Sequence, residues 1–252
     1  MVKPTFICIG VQKGGTTSLI KYLSQSPDIF IKKKEIHFFD KPKNVIITDK
    51  DIKEYEKKFN TNKLIVGEKT PSYCYLKYAI DRIYDYNKNM KLILILREPI
   101  SRAYSQYTMD SETISHKYYN LTFKDILNNK CEKNYNKDLY ENGPNYIARG
   151  FYDKIIEYIL YKFPKENLYI GIAEEIKNNK LYEYNKIIQF LGANKLNNIN
   201  INVDTNIGKY KNSIPKNMLT KLYNIYKSHN EKLYKILGRK ILIWEKYYEQ
   251  NI

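Results

Sequence analysis

Three short segments of this sequence carry residue types that can bind phosphate or move a proton. The first, Gly10-Val-Gln-Lys-Gly-Gly-Thr-Thr-Ser18, holds three of the ten glycines in the chain. It lies between an apolar run and an amphipathic run, which predicts a loop from a buried strand into a helix. In such a loop, backbone N–H groups and the helix N-terminus bind an anion, and lysine and hydroxyl side chains add contacts. The residues expected around a phosphate are Lys13, Gly14, Gly15, Thr16, Thr17 and Ser18.

This loop differs from the one found in nucleotide triphosphatases. That motif requires G-x4-G-K-[ST], and counting from Gly10 puts Gly15 in register but Thr16 where the lysine should stand. A nucleotide kinase, which uses the same topology and a phosphate loop, is the enzymatic alternative. The missing G-K-[ST] and the lack of an evident magnesium-binding Asp in the sequence disfavour it. A tight turn of small residues is the structural alternative, but the Lys and three consecutive hydroxyls favour phosphate over it.

The second segment is Leu94-Ile-Leu-Arg-Glu-Pro99, with Arg97 at the end of a predicted strand and Pro99 at the first position of a predicted helix. Ligands of open α/β sheets bind at the carboxyl ends of the strands. Ser105 follows about two helical turns later and can face Arg97. Only five of the 43 basic residues are Arg, and the planar guanidinium suits oxyanions. An ion pair between Arg97 and a nearby carboxylate is the alternative.

The third segment, Lys34-Glu-Ile-His-Phe-Phe-Asp40, combines a carboxylate with an imidazole. If it is extended, Glu35, His37 and Phe39 share one face, and Glu35 beside His37 can act as a general base. A solvated strand edge is the alternative. A further segment, Gly67-Glu-Lys-Thr-Pro-Ser-Tyr73, follows a predicted strand and brings Lys69 to the same end of the sheet.

The elements that position these segments alternate along the chain. Apolar runs predict strands at 5–9, 63–67, 92–96 and 168–172, and continuous apolar runs favour a parallel sheet covered on both faces. Helical patterns occur at 16–24, 75–87, 99–117, 145–163, 181–192 and 215–237, and the Asn-rich stretch 118–144 is expected to be irregular. The expected fold is α/β, a P-loop-like, doubly wound parallel sheet flanked by helices, with one domain over residues 1–252.

Composition limits the other classes. The net charge is +16, but 38 of the basic residues are Lys in a background rich in Asn, Ile and Tyr, as an AT-rich coding sequence produces. A basic nucleic-acid-binding protein is therefore the less favoured alternative, and no nucleic-acid partner is expected. The apolar runs are too short to span a membrane and the start lacks a secretory signal, so a cytoplasmic location is expected. The three cysteines, Cys8, Cys74 and Cys131, are too scattered for disulfides or zinc.

Taken together, these motifs resemble the sulfotransferases that use 3′-phosphoadenosine 5′-phosphosulfate (PAPS). The Gly10–Ser18 segment is similar to their 5′-phosphosulfate loop, and 94–105 to their 3′-phosphate segment. Segments 35–40 and 68–73 are similar to those of the heparan sulfate 3-O- and N-sulfotransferases. Later stretches at 149–152, 190–192 and 230–244 also resemble that group, so the resemblance covers nearly the whole chain.

The resemblance implies roles for individual residues. Lys13 contacts the 5′-phosphate and assists the leaving group, while Gly14 to Ser18 surround it. Arg97 and Ser105 hold the 3′-phosphate, and Glu35 takes the proton from the acceptor. The acceptor side is lined by His37, Asp40 and Lys69, and His37 also belongs to the catalytic set.

The same resemblance extends to the partners and to a late loop. Gly208, Lys209, Tyr210 and Lys211 correspond to the family's basic loop, although the cysteine-bridged insertion of the heparan enzymes is missing between 192 and 215. PAPS and its product 3′-phosphoadenosine 5′-phosphate (PAP) are the expected ligands. The expected acceptor is a carbohydrate, and the basic surface suggests an anionic one. Transferred sulfuryl carries less charge than a γ-phosphoryl group, so no metal is expected.

Overall fold

The computed structural model describes residues 2–111, 122–127, 145–198, 200 and 214–252. Within these residues the strands are β1 (Phe6–Gly10), β2 (Ile29–Ile31), β3 (Ile65–Lys69), β4 (Lys91–Leu96) and β5 (Leu168–Ile172). The α-helices are α1 (Thr16–Leu23), α2 (Asp49–Glu56), α3 (Lys77–Tyr86), α4 (Pro99–Ser111), α5 (Phe123–Leu127), α6 (Tyr152–Lys162), α7 (Ala173–Asn178), α8 (Lys180–Leu191), α9 (Lys216–Leu237) and α10 (Leu242–Asn251). Of the predicted irregular stretch 118–144, only 122–127 lies within the described residues.

The strands form one parallel sheet in the order β2-β3-β1-β4-β5. Strands β2 and β3 lie on one side of β1 within the sheet, and β4 and β5 lie on its other side. The order therefore reverses between β1 and β4, and the carboxyl ends of strands flanking such a reversal are where α/β sheets bind ligands. The predicted doubly wound α/β fold is confirmed.

The central strands β1 and β4 are buried on both faces of the sheet, which explains their continuous apolar runs. On one face, Phe6 and Cys8 of β1 and Ile93 and Ile95 of β4 pack against α1 and α8. The rings of Tyr22 in α1 and Tyr184 in α8 stack there with centroids 4.0 Å apart. The alternate residues of the same strands are also fully buried, namely Ile7, Ile9, Leu92 and Leu94. The buried central strands thus provide the support for the loops at their carboxyl ends.

The chain divides into two compact units, one of residues 1–96 with 158–206 and one of 97–157 with 207–252. The first holds the whole sheet. In the second, the ring of Tyr226 packs on the backbone of Gly150, and its hydroxyl donates to the Ile147 carbonyl at 2.9 Å. Trp244 of α10 and Tyr152 of α6 are buried together. The prediction of a single domain over 1–252 stays a prediction.

Some predicted boundaries are wrong. The helix predicted for 145–163 begins only at Tyr152, because a 3₁₀ turn at Ala148–Gly150 precedes it and the Asn145 side chain accepts from the Ala148 N–H at 3.0 Å. Strand β2 has three residues, too few to show a pattern, and α2, α7 and α10 are also not predicted. Residues Phe123–Leu127 form helix α5, so the expectation of an irregular stretch is wrong there. Helix α4 is described as far as Ser111, so the rest of the predicted 99–117 helix lies outside the described residues.

Candidate functional site

The Gly-rich loop leaves β1 at the reversal point of the sheet. The Val11 N–H donates to the Ile95 carbonyl of β4 at 3.0 Å, and the Gly14 N–H donates to the Val11 carbonyl at 3.0 Å. A Cβ on Gly14 would lie 2.4 Å from the Ile95 carbonyl oxygen, so only glycine lets the loop turn this close to β4. The loop therefore folds back tightly over the end of the central strands.

Helix α1 begins directly after this turn. Gly15 is the N-cap with φ +86°, and a Cβ there would meet no atom within 4 Å. None of the described side chains caps the helix, and its first turn has no acidic residue. The first-turn N–H groups and the positive end of the helix dipole are thus available to an anion. The predicted hydroxyls lie on this turn: Thr16 is buried, and Thr17 and Ser18 are half-buried.

The backbone conformation of Lys13 and a hydrogen bond from Gln12 define the shape of the loop. Lys13 is half-buried and left-handed, with φ +70°. The backbone N–H of Gln12 donates to the hydroxyl of Tyr75 at 3.1 Å. Tyr75 is fully buried in a 3₁₀ turn at Tyr73–Tyr75 that follows β3. The segment after β3 therefore supports the Gly-rich loop after β1.

Glu35, His37, Asp40 and Lys69 form one cluster at this end of the sheet. Glu35 Oε1 lies 2.7 Å from Lys69 Nζ, and Glu35 Oε2 lies 3.3 Å from His37 Nε2. His37 Nδ1 lies 2.8 Å from Asp40 Oδ2, which also accepts from the Ser72 hydroxyl at 2.7 Å. The Glu35 side chain is 34% exposed, whereas Lys69 is buried. The structure thus brings the predicted acceptor-side residues together around a carboxylate that solvent reaches.

The cluster reaches the phosphate loop through the sheet. Lys69 is the last residue of β3 and is in register with Cys8 of β1, two residues before Gly10. The next N–H, that of Thr70, donates to the Cys8 carbonyl at 3.1 Å. Glu35, paired with Lys69, is therefore placed at the edge from which the phosphate loop emerges.

The segment that carries Glu35 is not the extended strand expected from its pattern. His37 is left-handed, with φ +52°, which breaks the alternation of faces. Glu35 and His37 still meet, but Phe39 turns inward with Phe38, and both are buried. Phe39 packs edge-on against Tyr55 and Tyr73. The prediction that Phe39 shares a face with Glu35 and His37 is therefore wrong.

The loop after this segment is organised by Arg82 of α3. Its guanidinium donates to five backbone carbonyls, those of Phe39, Lys41, Pro42, Lys43 and Val45, at 2.6 to 3.3 Å. A planar donor fork can serve several acceptors at once, which an ammonium group does less well. Arg82 thus fixes the backbone just beyond Asp40.

Glu68, next to Lys69, is a buried carboxylate. It is 0% exposed and accepts hydrogen bonds from the hydroxyls of Tyr55, Thr70 and Tyr73 at 2.9, 2.8 and 3.3 Å. Burial raises the pKa of Glu68 to about 7, against the three hydroxyl donors, which lower it. Glu68 therefore changes charge near neutral pH.

We expect this carboxyl to make stability depend on pH. Its folded-state pKa lies above its ordinary value of 4.5, so its contribution is fully present below about pH 4.5 and is lost as the pH rises through about 7. The difference in unfolding free energy between the wild type and Glu68→Gln should fall by up to about 3 kcal/mol over that range. Urea unfolding of both proteins from pH 4.5 to 8 measures it, and a difference that stays constant with pH would contradict the raised pKa.

Arg97 and Ser105 belong to the second unit. Arg97 directly follows Leu96, the end of β4, and its carbonyl accepts from the Tyr152 hydroxyl at 2.7 Å. Ser105 is buried within α4. Glu98 caps α4 by accepting from the N–H groups of Ile100 and Ser101 at 2.9 and 2.7 Å, and burial raises its pKa. Both predicted residues are thus on rigidly held backbone.

Other predicted features are only partly described. Gly208, Lys209, Tyr210 and Lys211 lie outside the described residues, as does Cys131. Cys8 and Cys74 are buried free thiols, and burial raises the pKa of Cys8 to about 12. Over the described part of the chain, no group of three or more His, Cys, Asp and Glu residues could hold a metal ion. That does not test the reaction, and the expectation of no metal stays a prediction.

A parallel sheet with a Gly-rich loop at its reversal point is typical of nucleotide-binding α/β proteins, and comparison with known proteins identifies the family. Residues 3–235 match the model of the sulfotransferase domain, so the chain belongs to the sulfotransferase family. Mouse heparan sulfate glucosamine 3-O-sulfotransferase 5 is 30% identical, over 94% of this chain and 72% of the relative. The human 3-O-sulfotransferase 3B1 is 32% identical over 77% of this chain and 47% of the relative. The predicted family resemblance is confirmed.

A solved structure gives the same result for the fold. The crystal structure of a sulfotransferase from Alicyclobacillus acidocaldarius superposes with a TM-score of 0.77, covering 97% of this chain and 100% of that one, at 23% identity. Helices and strands are therefore arranged as in a sulfotransferase.

One relative corrects the expected location. The membrane-associated sulfotransferase kil1 of Dictyostelium discoideum is 27% identical over 94% of this chain and 65% of the relative. Because a relative aligned over nearly the whole chain is membrane-associated, the prediction of a cytoplasmic location is wrong. Among the helices that the structure describes, none is long and apolar enough to cross a membrane.

Several residues that shape the site were not predicted for that role. They are Glu68, Thr70, Tyr73, Tyr75 and Arg82. In segment 68–73 the sequence predicts a site residue only at Lys69. The presence of Glu, Thr and Tyr directly after a buried strand was the available signal, since polar groups in that place must find partners.

Proposed function

We propose that this protein transfers the sulfuryl group of PAPS to a hydroxyl or amine of a carbohydrate, with Glu35 as the base. The observation that carries the proposal is the position of Glu35. Its carboxylate is partly exposed and contacts Lys69 at 2.7 Å. Lys69 ends β3 beside Cys8 of β1, so it places Glu35 at the carboxyl end of the sheet, where the anion loop begins. A base and an anion site at one edge are what transfer from a phosphate-bearing donor to an acceptor requires.

The anion loop suits the 5′-phosphosulfate of the donor. Gly14 leaves no room for a side chain, Gly15 faces open space, and α1 presents its N-terminus beyond them. Lys13 is assigned to the phosphate oxygen that gains charge as the sulfuryl group leaves. The loop residues assigned to the phosphate are Gly14, Gly15, Thr16, Thr17 and Ser18.

The 3′-phosphate of the donor is assigned to Arg97 and Ser105. An Arg guanidinium can make two parallel hydrogen bonds to a phosphate, and a serine hydroxyl adds one. The backbone of Arg97 is fixed by Tyr152 on its carbonyl, which limits the freedom that binding must remove. Gly208, Lys209, Tyr210 and Lys211 remain assigned to the donor.

In the proposed step, Glu35 accepts the proton of the acceptor hydroxyl while the oxygen of that hydroxyl forms a bond to sulfur. The bond between sulfur and the 5′-phosphate oxygen breaks in line, and PAP leaves with the electron pair. Lys69 pairs with the Glu35 carboxylate at 2.7 Å and so fixes the position of one of its oxygens. His37 orients the other carboxylate oxygen and is itself held by Asp40 at 2.8 Å.

The carbohydrate acceptor is supported by the relatives. Those aligned over 94% of the chain include heparan sulfate glucosamine 3-O-sulfotransferases. The net charge of +16 suits an anionic polymer, which it attracts over the range set by salt.

The proposal is tested by incubating the protein with PAPS labelled in the sulfuryl group and a panel of neutral and anionic oligosaccharides. We expect labelled acceptor and PAP to form in equal amounts, with turnover on anionic acceptors decreasing as salt increases. ATP with Mg²⁺ is the matched control donor. Phosphorylated acceptor from ATP, without any transfer from PAPS, would replace the proposal with a nucleotide kinase.

A further inference from the structure

Glu68 is a buried carboxylate to which the proposed reaction gives no role. It is the fourth of the five residues of β3 and is surrounded by the hydroxyls of Tyr55, Thr70 and Tyr73. Oε1 accepts from both tyrosines and Oε2 from Thr70. A buried carboxylate is costly unless its oxygens are hydrogen-bonded, so each hydroxyl hydrogen is committed to Glu68.

Two of these hydroxyls also hold the backbone of the segment that carries Glu35. Thr70 Oγ1 accepts from the N–H of Ile36 at 3.3 Å. The Tyr73 hydroxyl accepts from the N–H groups of Phe38 and Phe39 at 2.9 and 3.3 Å. A hydroxyl has one hydrogen and two lone pairs. Because Glu68 takes the hydrogen, the lone pairs are directed to these amides.

The amides held in this way lie on both sides of His37. A left-handed conformation at a non-glycine residue is unfavourable and persists only where its surroundings enforce it. His37 has φ +52°, and this turn places its ring between Glu35 at 3.3 Å and Asp40 at 2.8 Å. The hydrogen bonds at Ile36 and Phe38 fix the turn from either side.

We propose that Glu68 is a positioning residue for the base: through Thr70 and Tyr73 it fixes the left-handed turn at His37 and so holds the Glu35 carboxylate in its reactive place. Glu68 touches neither donor nor acceptor in this scheme. The inference rests on the proposed function, because it assigns a support to the base of that reaction. Its effect is expected in the chemical step, since the hydroxyl that contacts the Gly-rich loop is that of Tyr75, whereas the hydroxyls described above on Glu68 are those of Tyr55, Thr70 and Tyr73.

Tyr73→Phe and Tyr55→Phe form a matched pair that tests this. Both tyrosines are almost fully buried, both donate to Glu68 Oε1, and both keep their rings as Phe. Only the Tyr73 hydroxyl accepts from the amides of Phe38 and Phe39. We expect kcat of Tyr73→Phe to fall about tenfold or more, with the KM for PAPS and the affinity for PAP unchanged, since misplacing a base slows chemistry without weakening donor binding. Tyr55→Phe should stay within about twofold of the wild type.

Hydrogen exchange gives a readout that does not depend on turnover. The amide hydrogens of Phe38 and Phe39 should exchange faster in Tyr73→Phe than in the wild type, whereas in Tyr55→Phe their exchange rates should be unchanged. Thr70 supplies a second pair. Thr70→Val removes the acceptor for the Ile36 N–H and should lower kcat, whereas Thr70→Ser keeps the hydroxyl and should restore it.

The outcomes separate this inference from the proposed function. If the wild type transfers sulfuryl and Tyr73→Phe and Tyr55→Phe behave alike in both kcat and exchange, the positioning role is overturned and the proposed function stands. If the wild type transfers no sulfuryl from PAPS to any acceptor, the proposed function is overturned and the role of Glu68 with it.

Discussion

Glu35→Gln is expected to lower the rate of sulfuryl transfer about 10²- to 10⁴-fold, while PAP still binds as to the wild type. Gln keeps the size of the side chain and can still accept from Lys69, which lies 2.7 Å from Glu35 Oε1. It cannot accept the proton of the acceptor. The loss should therefore appear in kcat and leave the KM for PAPS nearly unchanged.

The matched control for this variant is Glu54→Gln. Glu54 is an exposed residue of α2 whose partner is Lys57, at 2.6 Å. The same chemical change there removes one negative charge without touching the site, so transfer should be unaffected. Transfer and PAP binding are measured in parallel on purified variants. Wild-type turnover by Glu35→Gln would remove Glu35 as the base.

Gly14→Ala is expected to lower the affinity for PAP about tenfold to a hundredfold, because the loop must move. The added Cβ would lie 2.4 Å from the Ile95 carbonyl oxygen and 3.0 Å from that of Val11. Both are backbone atoms, so no side chain can swing aside. A shifted loop loses charge-assisted N–H contacts to the phosphate, each of which contributes about 1.5–3 kcal/mol. Isothermal titration of PAP measures the loss.

Gly192→Ala controls for the general cost of replacing a glycine. Gly192 has φ +92° and ends α8, and the nearest atom to an added Cβ is Lys91 Nζ at 3.8 Å. The substitution costs about 1–2 kcal/mol in left-handed strain and should leave PAP affinity unchanged. If Gly14→Ala bound PAP as well as Gly192→Ala does, the loop would not be the phosphate site.

The fold was predictable because its four longer strands contain continuous apolar runs. The four predicted strands correspond to β1, β3, β4 and β5, whose residues are mostly buried. Strand β2 has only three residues and owes its place to pairing with β3, a long-range contact that local pattern does not encode. Likewise, Gly150 ends the 3₁₀ turn before α6 because Tyr226 packs on it from a distant helix.

The site was predictable where chemistry is carried by charged residues in short motifs. Glu35, His37, Asp40 and Lys69 do form one cluster. The geometry that unites them was not predictable, since the pattern of segment 34–40 suggests a strand and the left-handed turn at His37 depends on acceptors from Thr70 and Tyr73. The role of Glu68 was not predictable, because its burial and its three hydroxyl partners depend on tertiary contacts with Tyr55, Thr70 and Tyr73.

The most direct test of the account is the binding of PAP to the wild-type protein, measured by isothermal titration beside adenosine 5′-monophosphate and ATP. We predict one PAP bound per chain, with adenosine 5′-monophosphate at least about tenfold weaker because the Arg97 and Ser105 contacts to the 3′-phosphate are lost. Tight binding of ATP with no detectable binding of PAP would contradict PAPS-dependent sulfuryl transfer.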